Sequence, residues 1–127
     1  MRIFKTKLFT RLARKAGLED SALRETIATA EIGLIDADLG GGVIKQRIAR
    51  PGKGKSGGFR TIILFRSKDR AVFVYGFGKN ERDNIGDDEL AEFKRLAALM
   101  LSYSDSEMAL AIENGALIEV SDEKAVS

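Results

Sequence analysis

Apolar residues in the first third of the chain recur at helical spacing. Residues 2–5 read as a short strand, and Thr6 stands where a helix N-cap belongs. Leu8, Phe9, Leu12, Ala13 and Ala16 then form one stripe of a helix that stops at Gly17. Asp20 or Ser21 can cap a second helix, with Leu23, Ile27, Ala30 and Leu34 on one face. Gly40, Gly41 and Gly42 end this helical half in a turn.

From residue 43 the period falls to two. Residues 43–49 place Ile44 and Ile48 on one face of a strand and Lys45 and Arg47 on the other. Residues 50–58, RPGKGKSGG, hold four glycines and the only proline, and they read as a loop whose backbone can approach a ligand closely. Residues 59–66 and 71–77 are β-branched and aromatic runs around the turn Ser67-Lys68-Asp69, apolar enough for central strands. Gly86 and Asp87 open a third helix that buries Leu90, Phe93, Leu96, Ala97, Met100 and Leu101. Ser104 and Glu107 have the spacing of a capping box for a fourth, which Asn114-Gly115 stops. Residues 117–120 form a last short strand, and residues 121–127 are expected to fray.

No repeat, low-complexity tract or linker divides the chain, so residues 1–127 are expected to be a single domain. The class is α+β: a strand, two helices, a three-stranded antiparallel meander, then C-terminal helices. Direction along the meander matters. Residues 59–66 run away from the glycine-rich loop and residues 71–77 run back, so Lys79, Asn80 and Arg82 finish at the same end as Lys53 and Lys55.

Composition removes several chemistries. The chain has no cysteine and no histidine, which excludes a disulfide framework, a thiolate metal site and the usual acid/base near neutral pH. A reducing, cytoplasmic location is the expectation. No apolar run approaches the roughly 18 residues of a membrane span. The acid-free stretch 1–18 mimics an organelle transit peptide, but it continues directly into the globular pattern.

The net charge of +2 is an average of opposites. Residues 1–18 carry six basic and no acidic groups, and residues 19–42 one and six. Residues 43–82 carry eleven and two, +9, and residues 83–127 three and eleven, −8. Lys45, Arg47, Arg50, Lys53, Lys55, Arg60, Lys79 and Arg82 would therefore line one end and one face of the sheet. Crowded cations repel each other, and a polyanion relieves the repulsion. Residues 49–56, ARPGKGKS, also fit a relaxed phosphate-binding P-loop. That mechanism requires a helix to start after the Lys-Ser pair, whereas Gly57-Gly58 lead into a β-rich run. Asp87, Asp88 and Glu89 suit a helix start better than a metal site. Tyr75, Tyr103, Phe59 and Phe77 have core spacing.

The run from Lys45 to Arg60, KQRIARPGKGKSGGFR, followed by Val74 to Arg82, VYGFGKNER, resembles the RelE/HigB-like toxins of bacterial type II toxin–antitoxin systems. The resemblance covers nearly the whole chain. It implies two N-terminal helices packed on a small antiparallel sheet, and it implies a metal- and cofactor-independent endoribonuclease that cuts mRNA on the translating ribosome. Its partners would be mRNA, the ribosome and a cognate antitoxin, through which the toxin–antitoxin complex could bind its own operator DNA. Catalysis would fall to Lys53, Lys55, Arg60 and Lys79: Lys55 or Lys53 as base, an exposed Arg60 as phosphate clamp, Lys79 as acid or second clamp. Lys45, Arg47, Arg50, Asn80 and Arg82 would bind RNA. Several relatives use a histidine or a tyrosine near the C-terminus, and this chain has no His and no Tyr after Tyr103, so acid and base stay unassigned, with Glu81 a second candidate base. Two alternatives remain: a non-catalytic module that binds nucleic acid or a partner, and a ParE-like gyrase inhibitor.

Overall fold

The computed structural model describes the backbone of residues 1–50 and 54–121 and, apart from residues 50 and 54–57, their side chains. Its elements run β1 (Arg2–Thr6), α1 (Lys7–Ala16), α2 (Asp20–Glu31), β2 (Ala37–Gly40), β3 (Val43–Arg50), β4 (Gly54–Arg66), β5 (Arg70–Gly78), α3 (Asp87–Met100), α4 (Asp105–Glu113) and β6 (Leu117–Glu119). The architecture is α+β. The six strands form one mostly antiparallel sheet in the order β2-β3-β4-β5-β1-β6, with β1 parallel to β5.

Local signals explain most boundaries. The Thr6 hydroxyl accepts from the Phe9 N–H and starts α1, and Gly17 closes it in the left-handed conformation that a residue without Cβ adopts freely. Ser104 and Glu107 make the expected capping box at α4.

The α1 and α2 residues Phe9, Ala13, Leu23 and Ile27 share a buried cluster with Ile44, Ile48, Phe59, Ile63 and Phe73. Ala97 of α3, Leu101 just beyond it and Met108 of α4 share a second cluster with Phe4, Val43, Ile62, Leu64 and Val72. Strand alternation separates the sets: along β4, residues 59, 63 and 65 join the first and 62 and 64 the second. The sheet is thus the shared wall of two cores.

Five expectations need correction. The meander β3-β4-β5 exists, but it is the middle of a six-stranded sheet. The glycine-rich run is largely strand: β4 begins at Gly54, which pairs with Arg50 across a register shift between Ile48 and Arg50. Ladder hydrogen bonds use only the backbone, so glycines extend the hairpin once β3 supplies partners. The same strand removes the helix that a P-loop requires. Glu19, not Asp20 or Ser21, holds the N-cap position of α2, without a side-chain cap bond, while Asp20 binds Lys5 and the Ser121 N–H. Leu34 is not on α2, which ends at Glu31 before Gly33 at φ 90°. The segment read as the run-up to a turn contains the edge strand β2. Gln46, buried on β3, holds that approach in place: its Oε1 accepts from the Asp36 N–H and its Nε2 donates to the Leu34 carbonyl.

Candidate nucleic-acid interface

The antiparallel register sets the cations of β3 and β4 side by side. Arg47 lies directly opposite Arg60, and Arg60 lies opposite Phe77 on β5. One pair further along, Lys45 faces Ile62, which faces Tyr75. Directly opposed residues point to the same face, so Lys45, Arg47, Arg60, Tyr75 and Phe77 share the face of the second core.

Arg60 is half-buried, where the sequence led us to expect an exposed side chain. Its Nη1 is buried and makes no hydrogen bond. A buried donor without a partner, set opposite a like charge, is doubly unfavourable, and an anionic oxygen would relieve both terms. Arg47 is exposed and has no ion-pair partner among the described residues. Its backbone N–H is held by Asp36 Oδ2 at 2.6 Å.

The turn after β5 returns to this end of the sheet. Phe59 pairs with Gly78, and the Lys79 N–H donates to the Gly58 carbonyl at 3.2 Å, so Lys79 joins the β4 end where Lys55 lies in the strand. Lys79 and Asn80 are exposed. Glu81 accepts from the Gly78 N–H at 2.7 Å, which folds the turn back on itself. Lys53 lies outside the described residues, and Arg50 and Lys55 are placed by backbone only.

Arg82 is committed differently. Its guanidinium forms a two-pronged pair with Glu89, at 3.0 and 2.7 Å, and lies 5.6 Å from the centre of the Phe77 ring. It also donates to the Asn84 carbonyl and the Tyr75 hydroxyl. The hydrogen-bonded pair with Glu89 raises the Arg82 pKa further and holds the Glu89 carboxyl below its usual range. Glu89 also accepts from the Gly86 N–H, so one carboxylate fixes both the start of α3 and Arg82. Lys45 donates to Asn84 Oδ1 at 3.3 Å. The sequence reading missed Tyr75, Asn84 and Glu89 here. Glu89 sits three residues after the Gly86 cap, a legible helix-start signal, but nothing in the sequence ties it to Arg82.

A family model described as the RelE toxin of the RelE / RelB toxin-antitoxin system matches residues 1–120. The chain belongs to this RelE toxin family. Membership implies a cognate antitoxin as its partner. No curated protein matches the chain. Among the described residues of this RelE-family toxin, no helix is long and apolar enough to cross a membrane, and no three acidic side chains gather as a metal site would require.

Proposed function

We propose that this toxin is a ribosome-dependent mRNA endoribonuclease whose scissile phosphate sits against Arg60. One observation carries the reading: the partnerless, buried Arg60 Nη1 beside Arg47, at the sheet end where the Lys79 turn meets β4. A planar guanidinium can grip two phosphate oxygens, and it stabilises the charge that builds on them in the transition state. In this reading Lys55 or Lys53 accepts the proton of the 2′-hydroxyl, which attacks the adjacent phosphorus. The bond to O2′ forms as the bond to O5′ breaks. Lys79 gives the departing oxygen its proton or acts as a second clamp. The products are a 2′,3′-cyclic phosphate and a 5′-hydroxyl. Asn80, Lys45, Arg47 and Arg50 hold flanking nucleotides. Arg82 can join them only by exchanging Glu89 for a phosphate. The antitoxin silences the toxin by covering the basic face.

Inducing the chain in bacteria and mapping mRNA ends tests this. Cleaved transcripts with cyclic phosphates are expected, and Lys55→Ala and Arg60→Ala should each relieve growth arrest. Intact transcripts with normal translation, or full toxicity of the double variant, would overturn the reading. Altered DNA supercoiling in place of cut mRNA would point to gyrase.

A further inference from the structure

One row along the sheet from Arg60, a side chain with no part in the steps above has its hydrogen-bonding direction fixed. Along β3, Lys45 stands two residues, about 7 Å, from Arg47, which faces Arg60. The Lys45 ammonium donates to Asn84 Oδ1 at 3.3 Å, and the Ile85 N–H donates to the same oxygen at 2.9 Å. Both partners can only donate. They therefore leave the amide one orientation, with Oδ1 toward Lys45 and Nδ2 turned away.

The turn that carries Asn84 is held from two sides. Arg82 Nε donates to the Asn84 carbonyl at 2.9 Å, and the Asn84 side chain itself accepts from the next residue's N–H. Asn84 is exposed, and among the described residues its Nδ2 meets no acceptor. The amide has thus turned its acceptor to the protein and presents two N–H donors to solvent. Lys45 keeps further donors of its ammonium beside it. Two neighbouring groups that donate and do not accept have a defined complement.

The RNA bases differ in what they offer such a pair. In a single strand the Hoogsteen edge is open to side chains. Guanine presents two neighbouring acceptors there, N7 and O6. Adenine sets an amino donor beside N7, cytosine presents an amino donor, and uracil a single carbonyl. An amino group placed against Lys45 or Asn84 Nδ2 would set donor against donor and leave both unpaired.

We propose that Lys45 and Asn84 read a guanine in the nucleotide next to the scissile phosphate, Asn84 Nδ2 donating to N7 and Lys45 Nζ to O6. The inference rests on the reading of this face as an RNA site and adds the base that the site selects. Arg60 and Arg47 meet the backbone, which carries no sequence information, so selection falls to this pair.

Single-stranded oligonucleotides lacking the attacking 2′-hydroxyl separate base reading from cleavage. Each carries one variable base within a uridine tract, and its affinity for the full chain is measured. Guanine and inosine share N7 and O6 and should bind alike. Both should bind about ten-fold more tightly than 7-deazaguanine, which lacks N7, and than adenine or cytosine. Asn84→Asp keeps an oxygen for the Ile85 N–H and for Lys45 and removes the Nδ2 donors. In that variant the guanine and 7-deazaguanine oligonucleotides should bind equally. In mapped transcripts, guanine should recur at one fixed position beside the cut, and Asn84→Asp should abolish the enrichment. Absent binding, equal affinity of the natural protein for guanine and 7-deazaguanine, or a guanine preference that survives in Asn84→Asp would overturn the proposal. So would adenine or cytosine binding as tightly as guanine. Guanine-selective binding without cut transcripts would uphold it and sink the cleavage reading alone, and cut transcripts without base selection would do the reverse.

Discussion

Arg60 sets stability against the proposed use of the site. Its Nη1 is buried without a partner and its backbone lies opposite Arg47, so the free protein bears a desolvation cost and a repulsion. Arg60→Met keeps much of the side-chain volume and removes both. We expect it to raise stability by about 1–3 kcal/mol, seen as a higher urea midpoint, while abolishing cleavage. A lower midpoint would mean that the guanidinium stabilises the fold and is no strained anion receptor. Asp20 predicts the opposite. Burial pushes its carboxyl up, but the hydrogen bond from Lys5 at 2.7 Å and the Ser121 N–H outweigh this and hold it below the usual range. A depressed carboxyl stabilises the fold above its unfolded pKa, and that contribution is lost as the pH falls through the folded value. Asp20→Asn should therefore cost about 2 kcal/mol at pH 7, and the difference from the natural protein should vanish well below about pH 4. Urea midpoints at the two pH values measure it.

Among the elements, β5 shows how the strands aim their side chains. Ile62 pairs with Tyr75 and Ile63 with Phe73, so Val74 is an extra residue in β5. The bulge puts Tyr75 and Phe77 on the Arg60 face. On the other face the Phe59 ring lies across Gly76, where an added Cβ would come 2.3 Å from ring atom Cε2. Gly76→Ala must displace a buried ring and should lower stability by about 1–3 kcal/mol in denaturant unfolding. This contact lies beyond the reach of sequence periodicity, because it is made between strands. What could be read locally was correct: the Thr6 cap, the Gly17 stop, the Ser104 capping box and the central strands each depend on residues a few positions apart. The return of Lys79 to the start of β4 was also legible, since two tight antiparallel strands leave one geometry. Lost were β2, a short polar strand whose approach is held by Gln46 from another strand, and the growth of β4 through glycines that read locally as loop. The Arg82–Glu89 pair was lost for the same reason: one partner's job as a helix start concealed the other.

For the molecule as a whole, the fold brings the +9 of residues 43–82 against the start of the −8 of residues 83–127. The junction is the turn from β5 to α3, where Asn84 meets Lys45 and Glu89 grips Arg82. The acidic segment therefore opposes the cationic cluster at close contact as well as through the long-range field, and in the proposed reading RNA would have to compete with Glu89 for one guanidinium. Binding of single-stranded RNA weakens with salt by a log–log slope of about 0.7 for each phosphate neutralised. An oligonucleotide lacking the attacking 2′-hydroxyl lets this slope be measured without cleavage. Glu89→Gln retains the size of the side chain and an oxygen that can accept from the Gly86 N–H, but it releases Arg82 from its ion pair. The variant should bind the oligonucleotide more tightly, and its slope should steepen by about 0.7. An unchanged slope would mean that Arg82 stays with the α3 start or meets RNA already in the natural protein. In either case the acidic segment would act on RNA through its field alone, and tighter binding by the variant would then appear in the association rate at low salt.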